Sequence, residues 1–231
     1  MNDLEMFNEL NKAYNNVYEL YYKCCRLVWY MLNVMQPINI ELNVTIEHID
    51  VIIKDGKIYI SDTMTGDFRH INEMYKLSFN MIPLAKFVYL YKDKIISGIT
   101  NNEAKNDFSK AVEILDKLFT YNIEHVMRYR LKNKAKVKGI NGEEVYVITL
   151  EIDKDYLYLL DDNNEVKLVI TYLNCTQFVL PFKNELRYLI HKVIDKYNKI
   201  SDDINQLYRQ MLKIAMPYVL AVELGGENKN E

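Results

Sequence analysis

From Leu4 to Met35 the chain contains neither glycine nor proline, and its apolar residues fall at Phe7, Leu10, Tyr14, Val17, Tyr21, Cys24, Val28, Met31 and Met35. Steps of three and four alternate without a break over about four heptads, the repeat of an α-helix buried along a narrow seam. Strands alternate every second residue, so a strand is excluded here. Further apolar residues at Leu20, Leu27, Trp29, Tyr30 and Leu32 widen the stripe, and the end of this helix is expected to enter a globular body. The stretch Asn184 to Ala215 repeats the pattern with Leu186, Ile190, Val193, Tyr197, Ile200, Ile204, Leu207, Met211 and Ile214. Lys192, Lys196, Asp202, Asp203 and Arg209 fill most of the intervening positions. Pro217 is expected to kink or end this second helix, because proline lacks the N–H and its ring crowds the preceding turn. The polar tail Gly225–Glu231 is expected to be disordered.

Two such helices have two ways to bury their seams: against each other as an antiparallel hairpin, or against copies of themselves in an oligomer. The expected fold is therefore α+β, with long N- and C-terminal helices of coiled-coil type bracketing antiparallel β-hairpins and a third, central helix. The boundaries are residues 1–36 for the first helix, 37–180 for the body, 181–224 for the last helix and 225–231 for the tail.

Turn chemistry orders the body. Asp55–Gly56 sits between Val51-Ile52-Ile53 and Ile58-Tyr59-Ile60, a hairpin signal, since a type I′ turn needs positive φ at both central residues. Upstream, the apolar parity of Leu42, Val44 and Ile46 switches at Glu47–His48 to Ile49, Val51 and Ile53, which predicts a bulge or a strand break. Asn141–Gly142 and Asn163–Asn164 mark two further hairpins. Thr100 followed by Glu103 fits a capping box for a helix over about 101–131, with Phe108, Val112, Leu115, Phe119, Ile123 and Val126 on one face. Between residues 68 and 98 the pattern predicts a short helix near His70–Tyr75 and a strand pair at Phe87–Leu90 and Lys94–Ile96.

Composition narrows the function class. Apolar residues make up 49% and charged residues 26% of the chain, a globular balance, and the formal charge of −3 supplies no overall field for a polyanion. Any nucleic-acid site must then be a local patch. Cys24, Cys25 and Cys175 lack framework or CxxC spacing, which argues for a reduced, cytoplasmic setting and against a zinc site. The start Met1–Glu9 is acidic and polar, and Arg26 interrupts the longest apolar run, so neither a signal peptide nor a membrane span is expected. Abundant Tyr, Asn, Lys and Ile match AT-rich codon usage, common in low-GC microbes and in their phages and viruses.

The most regular charge pattern is Arg128, Arg130, Lys132, Lys134, Lys136 and Lys138, a cation at every second position. On an extended strand all six would share one face as a stripe roughly 30 Å long, fit to track a row of phosphates. Internal ion pairs across the same face are the favoured reading. A two-residue Asn141–Gly142 turn sets Ile140 against Glu143, Lys136 against Val147, Lys134 against Thr149 and Lys132 against Glu151. Continued, that ladder brings Arg130 to Asp153 and Arg128 to Asp155, each opposite pair contributing about 0.2–1 kcal/mol. Lys134, Lys136 and Lys138 then lack acidic partners and remain free to bind something else.

No motif of catalysis emerges. Glu151, Asp153 and Asp155 with Lys154, or Asp50 and Asp55 with Lys57, lack the wider spacing of a metal-dependent nuclease. Cys24 and Cys25 read as small apolar seam residues, and no phosphate-cradling glycine loop occurs. No catalytic, cofactor-binding or metal residue is assigned. The expected function is non-enzymatic protein–protein interaction or assembly, with the chain itself or another protein as partner. The association seam comprises Phe7, Tyr14, Val17, Tyr21, Val28, Ile190, Val193, Tyr197, Ile200, Ile204, Leu207 and Met211. A virus- or mobile-element-encoded inhibitor or structural protein acting in a host cytoplasm belongs to this class. The alternatives are nucleic-acid binding through the stripe 128–138 and a metal-dependent nuclease or hydrolase.

Overall fold

Both seams fold as long helices, α1 (Asp3–Val34) and α5 (Lys183–Glu227). A computed structural model describes residues 3–62, 66–76, 81–121, 127–139, 141–153, 156–171 and 183–227. Between the two helices the order is β1 (Leu42–Ile46), β2 (Ile49–Lys54), β3 (Lys57–Asp62), β4 (Arg69–His70), a 3-10 helix Ile71–Lys76, α2 (Met81–Leu90), α3 (Lys92–Gly98) and α4 (Asn102–Phe119). β5 (Met127–Lys138), β6 (Glu144–Ile152), β7 (Tyr156–Leu160) and β8 (Val166–Thr171) follow. The strands form two antiparallel four-stranded meanders, β1-β2-β3-β4 and β5-β6-β7-β8. The fold is α+β, with long terminal helices and a central helix.

The chain divides into two compact units, one of Met1–Tyr18 with Asn122–Asp203, the other of Glu19–Tyr121 with Ile204–Glu231. α1 and α5 each give their first half to the first unit and their second half to the second. In the first unit the sheet β5–β8 buries Leu150, Ile152, Leu157, Leu159, Leu168 and Ile170 on one face. Tyr129 on that face donates its hydroxyl to Glu185 of α5 at 3.2 Å, and Tyr14 meets Tyr197 edge-on at 5.7 Å between ring centroids. In the second unit Ile49, Val51, Ile53, Ile58 and Ile60 are buried on sheet β1–β4. Trp29 of α1 is buried there too and donates its indole N–H to the Ile71 carbonyl at 2.9 Å.

Several expectations change. In the second unit Lys23 of α1 lies within electrostatic reach of the Tyr208 phenol of α5, and further along Tyr30 donates its hydroxyl to Glu223 of α5 at 2.7 Å. Residue numbers rise together on both helices, so the two run parallel there and not as an antiparallel hairpin. The long body between them supplies the return path that a parallel pair needs. Pro217 does not end α5, which continues to Glu227. Beyond the proline, Tyr218 is buried and gives its hydroxyl to Asp107 of α4 at 3.1 Å, while Glu223 is held by Tyr30. These contacts offset the one helical hydrogen bond that proline removes. The expected tail is thus helical over Gly225–Glu227, and 228–231 lie outside the described residues.

The strand pair foreseen within Phe87–Ile96 is instead α2 and α3. Met81, Ile82, Pro83, Leu84, Ala85, Phe87 and Val88 are buried on all sides of α2, and a run buried all round carries no period by which to tell helix from strand. Asn101, not Thr100, caps α4, its side chain accepting the Ala104 N–H at 2.9 Å. α4 ends at Phe119, short of the expected 131, where the Thr120 hydroxyl and N–H both turn back to the Lys117 carbonyl. Ile123 and Val126 lie outside the described residues. Glu47–His48 is a strand break: Ile46 pairs with Ile49 and Glu47 takes φ 54°. Asp55 (φ 51°) and Gly56 (φ 74°) form the expected tight turn, which closes Lys54 onto Lys57.

Candidate interaction surface

The basic hairpin departs from the expected ladder in two ways. Gly139 donates to the Glu143 carbonyl and Gly142, at φ 80°, to that of Gly139, so the β5–β6 turn is longer than two residues. Ile140, expected to face Glu143, lies outside the described residues. Lys136 consequently faces Tyr146, and Lys138 faces Glu144. The register then shifts between Arg130 and Ala135, because five steps along β5 correspond to two along β6, from Thr149 to Val147. An insertion of odd length reverses which side of the sheet successive residues occupy. Arg128 and Arg130 therefore share a face with Thr149 and Glu151, whereas Lys136 and Lys138 share the opposite face with Tyr146 and Glu144. All six cations are exposed, but they do not form one stripe.

Their partners also differ from the expected set. Arg128 pairs with Glu151, Lys134 with Asp162 in the β7–β8 turn and Lys136 with Glu144, whose carboxylate raises the Lys136 pKa. Asp155, the partner expected for Arg128, lies outside the described residues. Two of the three lysines expected to be free are thus occupied. Arg130, Lys132 and Lys138 have no partner among the described residues. Glu151, a candidate metal ligand, is engaged by Arg128, and Asp50 accepts a hydrogen bond from Thr45 at 2.5 Å. No cluster of three His, Cys, Asp or Glu suited to a metal ion occurs among the described residues. Lys154 and Cys175 fall outside them.

The helical seams lie inside the chain. Phe7, Tyr14, Val17, Tyr21, Val28, Ile190, Val193, Tyr197, Ile204, Leu207 and Met211 are buried and Ile200 is half-buried. Cys24 and Cys25 are buried thiols on the same seam, and burial pushes the Cys24 pKa up to about 12. These residues are buried within the chain itself.

An exposed apolar stripe runs along the end of α5. Past Pro217 the sequence Tyr218-Val-Leu-Ala-Val222 is wholly apolar, and only one side of it turns inward. Met211, Ala215 and Tyr218 form the buried side, one turn apart. On the other side Met216, Leu220 and Leu224 follow at four-residue steps and remain 40%, 49% and 59% exposed. At 3.6 residues per turn these three fall in one narrow band, with exposed Lys213 in line before them and exposed Glu223 along its edge. Apolar residues round a whole helix normally mean burial on all sides. The sequence pattern carries the helix to 224 but its apolar seam only to Ile214, so this stripe was missed; the i, i+4, i+8 spacing was the available signal.

Beside the stripe lies a cleft of about 440 Å³, bordered by Val34, Pro37, Glu103, Asp107, Pro217 and Tyr218 among others. The Tyr218–Asp107 hydrogen bond closes one wall, and burial with that carboxylate pushes the Tyr218 pKa up to about 12. Its polar lining includes the hydroxyls of Thr100 and Tyr218 and the carboxylates of Glu103 and Asp107, with no His, Cys, Lys or Arg among the lining residues. No described helix is long and apolar enough to cross a membrane. No known protein family, curated protein or solved structure matches this chain.

Proposed function

We propose that the chain is a non-enzymatic association protein of a reducing, cytoplasmic compartment, and that its working surface is the outer side of α5 beyond Pro217. The observation that carries this reading is the row Met216, Leu220 and Leu224, left open on a helix whose opposite side is already packed. Exposed apolar positions in a contiguous row are costly in water unless something covers them. Buried free thiols at Cys24 and Cys25 suit a reducing setting. Light scattering of the intact protein over a concentration series tests the reading. A mass above the monomer that falls to the monomer on Leu220→Asp is expected. A mass unaffected by that substitution, or a monomer throughout, would overturn it.

Nucleic-acid binding is the weaker reading. Three of the six cations are in ion pairs, and the two ends of the run, Arg128 with Arg130 and Lys136 with Lys138, lie on opposite sheet faces. A metal-dependent hydrolase has weaker support still, since Glu151 already serves Arg128.

A further inference from the structure

Lys213, Met216, Leu220 and Glu223 follow one another at steps of three, four and three along the exposed side of α5. This is the spacing of consecutive seam positions in a two-stranded helix pair. The sequence of charges along it is a cation, two apolar residues and an anion. Read backwards, the same row presents an anion, two apolar residues and a cation. It is therefore complementary to itself in the antiparallel sense. The register that sets Leu220 against the partner's Met216 also sets Lys213 against the partner's Glu223, and two-fold symmetry repeats both layers.

We infer that the outer side of α5 pairs with the same side of a second copy of this chain, antiparallel, with Lys213 and Glu223 closing the two ends of a Met216/Leu220 centre. The inference rests on the proposed association function and names its partner. A second copy is favoured over an unrelated protein because both required charges are present on the stripe at symmetric positions. Lys213 is exposed and has no partner among the described residues. Glu223 is exposed and accepts from Tyr30 through Oε1, an arrangement that holds the carboxylate in place at the edge of the stripe. Leu224 extends the apolar band past Leu220. A row of four residues on one helix side is short beside the interface that buries roughly 800 Å² per partner in a standard stable complex, so a dissociable dimer is expected and concentration will control it.

Sedimentation velocity on the intact protein tests the pairing through charge exchange. Lys213→Glu alone places carboxylates opposite each other in both outer layers, and Glu223→Lys alone places ammonium groups there. Each variant should lose at least tenfold in self-affinity. Mixed in equal amounts, the two variants recreate an opposite pair in each layer and should form a 1:1 heterodimer as tight as the original. Tyr30→Phe removes the internal hydrogen bond to Glu223, along with the one that Arg26 gives the same hydroxyl, and should leave the dimer unchanged; circular dichroism checks that every variant is folded. If Leu220→Asp abolishes association but the mixed variants stay apart, this pairing is wrong while the α5 surface survives. A monomer at all concentrations refutes both. Leu220-dependent binding to lipid vesicles without self-association would refute the pairing in favour of a membrane surface.

Discussion

Replacing Arg128 by Met should separate a structural from a ligand-binding role for the basic strand. The side chain of Glu151 is only 13% exposed, and its Oε1 is shut off from solvent and accepts no well-formed hydrogen bond among the described residues. The Arg128 guanidinium, itself 65% exposed, is the charge that compensates it. Leaving a buried charged acceptor without its partner costs about 1–3 kcal/mol, more if burial is complete. Residual exposure of Glu151 and the open position of Arg128 place the expected loss in the lower half, about 1–2 kcal/mol. Lys136→Met offers an internal comparison in the same sheet. Lys136 and Glu144 are both exposed, and such pairs contribute about 0–1 kcal/mol. Urea unfolding followed by circular dichroism, at one salt concentration and neutral pH, measures both. Adding Glu151→Gln to Arg128→Met should recover most of the loss, because removing both partners of a poorly hydrated pair is close to neutral. Equal, small effects of Arg128→Met and Lys136→Met would refute the reasoning and return Arg128 to the pool of residues free for a polyanion.

Gly56→Ala should cost clearly more than Gly66→Ala in the same unit. Both glycines have positive φ, 74° and 69°, but a Cβ at Gly56 would sit 2.6 Å from the Pro37 Cβ while one at Gly66 meets nothing within 4 Å. The left-handed backbone alone costs about 1–2 kcal/mol, so an equal loss in urea midpoint for the two would deny the close approach. In a spectrophotometric titration, Tyr218→Phe should remove a phenol that ionises near pH 12, not an early one. Because its folded pKa lies above the ordinary value of about 10, Tyr218 contributes stability below pH 10 that is lost as the pH rises toward 12. The variant should accordingly show a shallower alkaline fall in melting temperature. Cys24 and Cys25 should resist alkylation in the native protein at neutral pH and react once it is unfolded, as judged by peptide mass mapping. Rapid native labelling at either would contradict their burial.

The terminal helices were legible because a three-four alternation leaves few other structures open, and Asp55–Gly56 because a tight turn with positive φ at both central residues calls for that residue pair. What escaped was contextual. The run Met81–Leu90 is buried all round, so its period is erased where its burial is greatest. The register shift in β5 leaves no mark in the alternation of Arg128 to Lys138, since a strand keeps its own period of two whether or not the neighbouring strand keeps step. Only the pairing with β6 reveals that the cations separate onto two faces. The outer stripe of α5 escaped for a third reason. The seam pattern stops at Ile214 and a proline invites a kink or an end, although Tyr218 and Glu223 are held by side chains brought from α4 and α1. Local rules forecast well where the chain satisfies itself locally, and poorly where distant segments finance an exception.

The order in which a ribosome delivers the chain gives the shared helices a further consequence. α1 emerges before α5, yet the ring and carboxylate that meet it, Tyr197 for Tyr14 and Glu223 for Tyr30, belong to α5. Both units include part of α5, so neither is complete until that helix leaves the exit tunnel. Contacts this distant along the chain make folding slow and late. A truncation that removes α5 would therefore take a wall from both units at once, and a nascent chain stalled before α5 would be a strong client for chaperones.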